Sequence, residues 1–304
     1  MVTFFRSERL QRDFEADGFV TMPVLDAGDI EALTQHCEKV TSARVGRSTH
    51  RGLYLSLVDE GDVARRKTVI EEVHALVSDG LLRAMHACRL HLGTYLIKPA
   101  GAPHTVPHQD PAMTDVYNGD DLTLTAWMAL RDVTLDTGAL GIVKASHMFS
   151  RRAIGTPIPA FRTISQGHEA MLFKYLSFIP LKAGEAVVFD TRCIHGALPN
   201  VTGDSRSAVA VRITPKDAPL YQFFLKPGTT DRMLKLKIHD DYLITYRPQD
   251  LSRMYEQGAI PEYCEVEQEL QDDFTPLASD ELEALCRRHG AVDNGIAITA
   301  AGAA

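Results

Sequence analysis

Leu122-Thr123-Leu124-Thr125-Ala126-Trp127-Met128-Ala129-Leu130 alternates with a period of two. Leu122, Leu124, Ala126, Met128 and Leu130 fall on one face and Thr123, Thr125, Trp127 and Ala129 on the other, the pattern of a half-buried strand. Shorter runs of the same kind surround it: Leu92 to Lys98, Gly138 to Lys144, Phe178 to Leu181, Ala186 to Phe189 and Ser207 to Thr214. Thr-Gly, Ala-Gly and Pro-Asn turns separate them, and no Gly-rich phosphate loop opens a helix. Many short strands with such punctuation predict an antiparallel sandwich or barrel, not alternating βαβ units.

Outward from this block the chain is helical. Glu8 to Ala16 reads as a short helix stopped by Asp17-Gly18 before an extended run, Phe19 to Val24. Ile30, Leu33, Cys37 and Val40 recur at helical spacing behind Asp26 or Asp29 as N-cap. A second helical region runs from about Asp62 to His86, with Ser78-Asp79-Gly80 as an expected interruption. After Leu220 to Phe224 the chain reads as mixed and then helical, over Asp250 to Gln257 and Asp280 to His289, the latter capped by Ser279. The expectation is one domain over 1–304: a helical part to about 90, a β core over about 91–225 and a helical extension over about 226–304.

With 304 residues and 45% apolar content the chain can bury a large core. A net charge of -8 argues against a general nucleic-acid or anionic-membrane surface, since both need clustered positive charge. A small-molecule partner is therefore expected, with a homodimer among the possible assemblies. Five scattered cysteines without a C-x-x-C pair indicate neither a disulfide framework nor a structural zinc site, and fit a reducing cytoplasm. Arg6, Glu8, Arg9 and Arg12 precede any long apolar run, unlike a signal peptide, and no stretch approaches the roughly 20 apolar residues of a membrane span.

The chemistry centres on His108-Gln109-Asp110. On an extended segment, residues 108 and 110 project from the same side of the backbone, so both side chains can reach one metal ion. Far along the chain, Gly184-Glu185-Ala186-Val187-Val188-Phe189-Asp190 leads to His195-Gly196-Ala197, which delivers a histidine where glycine permits close backbone approach. Two imidazoles and a carboxylate form the facial donor set of non-haem Fe(II) oxygenases, with open positions left on the metal. Arg206, eleven residues after His195, could grip a carboxylate with two parallel hydrogen bonds.

Each residue also has a plainer reading. A lone H-x-D is more often a hydrogen-bonded loop pair. His104 competes as a ligand but reads better as a loop or pocket residue, His147 as structure, and Trp127 as core. Arg212 is in register with Arg206 and competes for its role. Lys98 either approaches the pocket or ends a strand. The connection from His147 to Phe178, about 30 residues, reads as a lid. Arg151 and Arg152 within it form either an anion site or a solvated face. Gly-x-Ser-x-Gly is absent and no cysteine has a convincing histidine partner, so nucleophilic hydrolysis has little support.

From about Phe14 to Thr214 the sequence resembles the phytanoyl-CoA dioxygenase family of Fe(II)/2-oxoglutarate oxygenases. The resemblance rests on Asp17-Gly18-Phe19-Val20, His108-Gln109-Asp110, Trp127-Met128-Ala129-Leu130-Arg131-Asp132, Thr137-Gly138-Ala139-Leu140, Ser146-His147, Gly184-Glu185, Phe189, His195-Gly196-Ala197, Pro199-Asn200 and Arg206. It implies a mainly β fold, a double-stranded β-helix (a cupin-like jelly roll) with flanking helices. It also implies iron held by His108, Asp110 and His195, with 2-oxoglutarate and O2 as cosubstrates. Arg206 would bind the cosubstrate carboxylate, and Gln109 and Trp127 would line its pocket. Where relatives often have Pro-Gly-Ser-His, this chain has Lys144-Ala145-Ser146-His147, which alters a turn. Halogenating relatives replace the carboxylate ligand by a small residue, so Asp110 points away from halogenation. The expected reaction is hydroxylation of an unactivated C–H bond with release of succinate and CO2. Desaturation, cyclisation or epimerisation would use the same oxidant, and a non-redox cupin-like binding protein or isomerase is the remote alternative.

Overall fold

The strand pattern of residues 122–130 sits at the centre of the molecule because both of its faces are covered. The computed structural model describes residues 3–41, 54–56, 61–117, 122–157 and 160–298. The first part of the chain supplies α1 (Glu8–Asp17), β1 (Phe19–Pro23), α2 (Ala27–Thr41), β2 (Tyr54–Ser56) and α3 (Val63–Ala84). The middle supplies β3 (Cys88–Lys98), β4 (Thr105–His108), β5 (Leu124–Ala129), β6 (Leu140–Val143), α4 (Glu169–Phe173), β7 (Leu176–Ile179), β8 (Glu185–Asp190), β9 (His195–Ala197) and β10 (Arg206–Pro215). A six-stranded antiparallel sheet has the order β1-β8-β5-β10-β3-β2, and a four-stranded sheet has β4-β9-β6-β7. Two stacked antiparallel sheets with non-consecutive neighbours are the expected jelly roll.

β5 shows why the strand is buried throughout and not on one face only. Leu124, Ala126 and Met128 pack with Leu33, Cys37, Val73 and Val77 of α2 and α3, while Trp127 and Ala129 pack with Leu140 and Ile142 of the smaller sheet. Alternation in a sandwiched strand thus separates two interiors, not core from solvent.

Local chemistry explains the helix ends. Asp26 Oδ1 accepts from the Asp29 amide at 2.9 Å and Asp29 Oδ2 from the Asp26 amide at 3.0 Å, so both expected caps of α2 operate, reciprocally. Gly18 ends α1 at φ +83°, and a side chain there would collide with His147 and Cys193. The interruption expected at 78–80 is absent, since α3 runs continuously to Ala84. Gly80 is there for space: a Cβ at this position would lie 2.3 Å from the Val24 carbonyl oxygen.

Two further expectations are corrected. The region after 225 is not simply helical: β11 (Tyr221–Leu225), β12 (Arg232–Ile238) and β13 (Cys264–Gln271) form a third antiparallel sheet, with α5 (Asp240–Thr245) and α6 (Pro248–Glu256) inserted before β13. Lys235, which dilutes the apolar pattern of β12, is buried between Asp115 at 2.8 Å and Glu267 at 2.5 Å. α7 (Ser279–Arg288) is capped by Ala278, not Ser279, with the Glu281 carboxylate accepting from the Ala278 amide at 2.9 Å.

The connection after β6 is a packed wall in its described residues. Ala153, Ile154, Phe161 and Ile164 are buried, the Ala112 amide donates to Ile154 and the Thr156 amide to Phe223. Arg152 forms a two-pronged ion pair with Asp272 and stacks on Phe161 and Phe274, so its charge is used structurally.

Candidate metal and cosubstrate site

β4 and β9 pair antiparallel with His108 directly opposite His195, so two strands 87 positions apart in sequence present their imidazoles side by side, ring centroids 4.2 Å apart. Asp110 follows two residues after His108, and its amide donates to Thr191 O at 3.1 Å, which fixes the chain just past β4. Ligand atoms of His108, Asp110 and His195 all lie within 4.8 Å of one another. His108 Nε2 is 3.9 Å from Asp110 Oδ1, and His195 Nε2 is 3.4 Å from Asp110 Oδ2.

The ring tautomers follow from the backbone. His108 Nδ1 faces Val106 O at 2.8 Å and His195 Nδ1 faces Cys193 O at 3.0 Å. A carbonyl only accepts, so each Nδ1 carries the hydrogen and each Nε2 presents a lone pair to the common centre. Gly196 is needed here because a Cβ would lie 2.7 Å from the Thr105 carbonyl oxygen and would push β9 off β4.

Beside these three side chains a cavity of about 190 Å³ opens between the sheets, lined by residues that include Thr105, Trp127, Phe189, Arg206 and Arg212. Arg206 is 2% exposed, its Nη1 donates to Gly138 O at 3.2 Å, and its guanidinium lies 4.9 Å from the Trp127 ring. Arg206 Nε is buried without a hydrogen-bond partner. Lys98, opposite Arg206 in the β3–β10 register, is 0% exposed, and its Nζ donates to Thr105 Oγ1 at 3.3 Å. Burial pushes Arg206 down to about 10; burial and the neighbouring Arg206 push Lys98 down to about 7. A desolvated guanidinium that lines the cavity with an unsatisfied donor fits a bound carboxylate, with the buried Lys98 opposite it on β3, outside the cavity lining.

The remaining candidates separate cleanly. Trp127 lines the cavity as well as the core. Gln109 points the other way, as alternation along the strand requires, and its Nε2 donates to Arg192 O at 2.7 Å, outside the cavity lining. Arg212 does not stand beside Arg206 as a second anchor but pairs with Asp110 Oδ2 at 2.8 Å. His104 packs edge-on against Phe173, 5.4 Å between ring centres, outside the ligand cluster. His147 is buried against Gly18 and Cys193. Lys98 was ambiguous in sequence; a lysine ending a strand next to the Thr137-Gly138 turn carries no signal until its burial is known.

A jelly roll with two histidines and a carboxylate converging at its mouth, and a buried arginine within, has the arrangement of non-haem iron, 2-oxoglutarate-dependent enzymes. Residues 14–208 match the model of the family described as phytanoyl-CoA dioxygenase (PhyH), and the chain belongs to that family. It is an Fe(II)- and 2-oxoglutarate-dependent dioxygenase that uses O2. Among solved structures it is similar to the non-haem α-ketoglutarate-dependent carbocyclase SnoK from nogalamycin biosynthesis, at 24% identity over 70% of this chain and 86% of that one, TM-score 0.52, which supports the fold. Fainter likenesses are to the epimerase SnoN of the same biosynthesis, 24% identical over 70% and 84% with TM-score 0.49. HygX from Streptomyces hygroscopicus, solved with nickel and 2-oxoglutarate, is 16% identical over 69% and 88% with TM-score 0.47. No curated protein matches the chain. Among the described residues no helix is long and apolar enough to cross a membrane.

Proposed function

We propose that His108, Asp110 and His195 ligate the iron, that Arg206 assisted by Lys98 holds the distal carboxylate of 2-oxoglutarate, and that the enzyme hydroxylates an unactivated C–H bond of a small organic molecule. The observation that carries this reading is the buried Arg206–Lys98 pair, with Arg206 Nε unsatisfied, beside three converging metal ligands. Bound together, the metal and cosubstrate supply the oxidising power: decarboxylation to succinate and CO2 is coupled to O2 reduction and substrate oxidation.

The chain's own residues do the rest. Val106 and Cys193 carbonyls hold the imidazoles in the metal-binding tautomer. Trp127, stacked on Arg206, keeps water from the guanidinium and so strengthens its attraction for a carboxylate. Asp110 supplies a third ligand where halogenating relatives have a small residue, which favours oxygen insertion over halide transfer. Desaturation, cyclisation and epimerisation begin from the same removal of hydrogen. The test is succinate release against acyl-CoA, amino-acid-like and natural-product candidates, with mass spectrometry of the product. A gain of one oxygen atom supports hydroxylation, and an isomer or a loss of two hydrogens replaces it.

The Lys98 assignment has its own pH signature. Its pKa near 7 means that the unliganded protein carries the proton below pH 7 and loses it above. A bound dianion favours the charged form, so above pH 7 binding must take up a proton. The Kd for 2-oxoglutarate with Mn(II) in place of iron is expected to rise from pH 7 to 9, by at most about tenfold per pH unit. Lys98→Met should flatten the profile, and an unchanged profile removes Lys98 from the carboxylate site.

A further inference from the structure

We propose that Arg212 is a positioning residue that holds Asp110 as a one-oxygen iron ligand and thereby preserves the number of open positions on the metal. The inference rests on the assignment of Asp110 as a ligand and adds the question of how that carboxylate is kept in the right mode.

Arg212 Nη2 lies 2.8 Å from Asp110 Oδ2, and Arg212 Nη1 donates to Thr125 Oγ1. Arg212 and Thr125 are direct register partners on β10 and β5, so both side chains point to the same side, into the cavity. The guanidinium is therefore clamped from behind by a buried hydroxyl and aims its other nitrogen at the carboxylate. A planar guanidinium spans two such partners with little loss of side-chain freedom. The strand ladder supports this placement. β3 and β10 pair Thr94 with Ala210 and His91 with Arg212, so Leu92 and Gly93 together oppose Val211 in a bulge beside Arg212. Leu92 adopts φ +51° there, and a Cβ on Gly93 would lie 3.2 Å from Val73. Bulges of this kind re-aim side chains next to functional sites.

The consequence is one of counting. Two imidazoles and one carboxylate oxygen would leave a six-coordinate iron held here three positions for a chelating 2-oxo acid and O2. A carboxylate binding through both oxygens would leave two. Asp110 lies just beyond β4, with its backbone held by the bond from its amide to Thr191 O at 3.1 Å and its carboxylate turned to Arg212. A charge-assisted bond from Arg212 engages Oδ2, which also lies 3.4 Å from His195 Nε2, and leaves Oδ1, 3.9 Å from His108 Nε2, as the oxygen offered to the metal. It also explains why the second arginine on this face of β10 is not a second cosubstrate anchor: Arg206 sits six residues along the strand, roughly 20 Å of backbone, beside Lys98 and Trp127 instead.

The test uses the full chain and Mn(II) alone as probe, so that it does not depend on turnover or on knowing the substrate. Loss of a group that orients a metal ligand typically weakens metal binding 10- to 100-fold, and Arg212→Gln is expected to raise the Mn(II) Kd by about that factor. The Co(II)-substituted variant should show a changed visible spectrum, as the carboxylate mode shifts. The 2-oxoglutarate Kd measured at saturating metal should move less than threefold. Arg212→Lys keeps the charge but not the two-sided clamp, so it should recover part of the metal affinity.

A folded Arg212→Gln protein with wild-type Mn(II) affinity and Co(II) spectrum overturns the proposal, as does a variant that loses cosubstrate affinity and not metal affinity. If Arg212→Gln does not fold, Thr125→Val carries the test, because it removes only the hydroxyl behind the guanidinium. A smaller rise in Mn(II) Kd is expected, and none overturns the proposal. Asp110→Asn separates the two levels: if it leaves Mn(II) binding intact the ligand assignment itself fails, whereas its loss alongside an unaffected Arg212→Gln refutes the positioning role alone.

Discussion

His108→Ala is expected to bring Fe(II)-dependent succinate release down to the level measured without added metal. The reason lies in the pairing of β4 with β9, which sets His108 directly opposite His195. Neither neighbour can substitute. His104 is four residues away and packed on Phe173, and Gln109 faces Arg192 across the strand. An alanine at 108 leaves one imidazole and one carboxylate, a donor set that holds Fe(II) poorly and leaves too many positions open to water. The protein should still fold, since β4 pairs through its backbone and His108 is only part-buried. Unaltered circular dichroism together with lost Mn(II) binding would complete the result. Turnover at the wild-type level would show that the iron sits elsewhere.

What the sequence could and could not reveal follows from which interactions are local. The His108 and Asp110 pairing is a property of one extended segment, so the spacing alone places both side chains on one face. His195 as partner was visible only as a histidine before glycine, because its register with His108 is set by strands far apart in the chain. The jelly roll was legible in the alternation of 122–130, but the burial of both faces was not, since a cavity face tolerates Thr125 as readily as solvent does. The third sheet was missed for a related reason. Charges at Arg232, Lys235 and Lys237 mask the strand period, and only the structure reveals that Lys235 is neutralised by Asp115 and Glu267. Gly80 reads as a helix breaker in sequence because propensity is local, whereas its close approach to Val24 is tertiary. Arg206 and Arg212 are indistinguishable by residue type and phase along β10. Their neighbours tell them apart, an unsatisfied donor beside Lys98 for one and the Asp110 carboxylate for the other.

That distinction makes Arg206→Ala the sharpest test of the cosubstrate site. Truncating one member of a buried, charge-assisted pair costs about 2–5 kcal/mol. At 1.4 kcal/mol per tenfold, a value near 3 corresponds to a rise of roughly 100-fold in the KM for 2-oxoglutarate. His108, Asp110 and His195 are untouched, so Mn(II) affinity should stay within a few-fold of wild type, the reverse of the pattern expected for Arg212→Gln. Removing the guanidinium also relieves Lys98 of its neighbouring positive charge, one of the two causes that lower its pKa. The lysine then stays protonated to higher pH and retains part of the attraction for the distal carboxylate. The loss in Arg206→Ala should therefore be smaller than in the double variant with Lys98→Met, and the two single effects should not add. An unchanged KM in Arg206→Ala would move the carboxylate to Lys98 alone, and additive losses would mean that the two cations act independently.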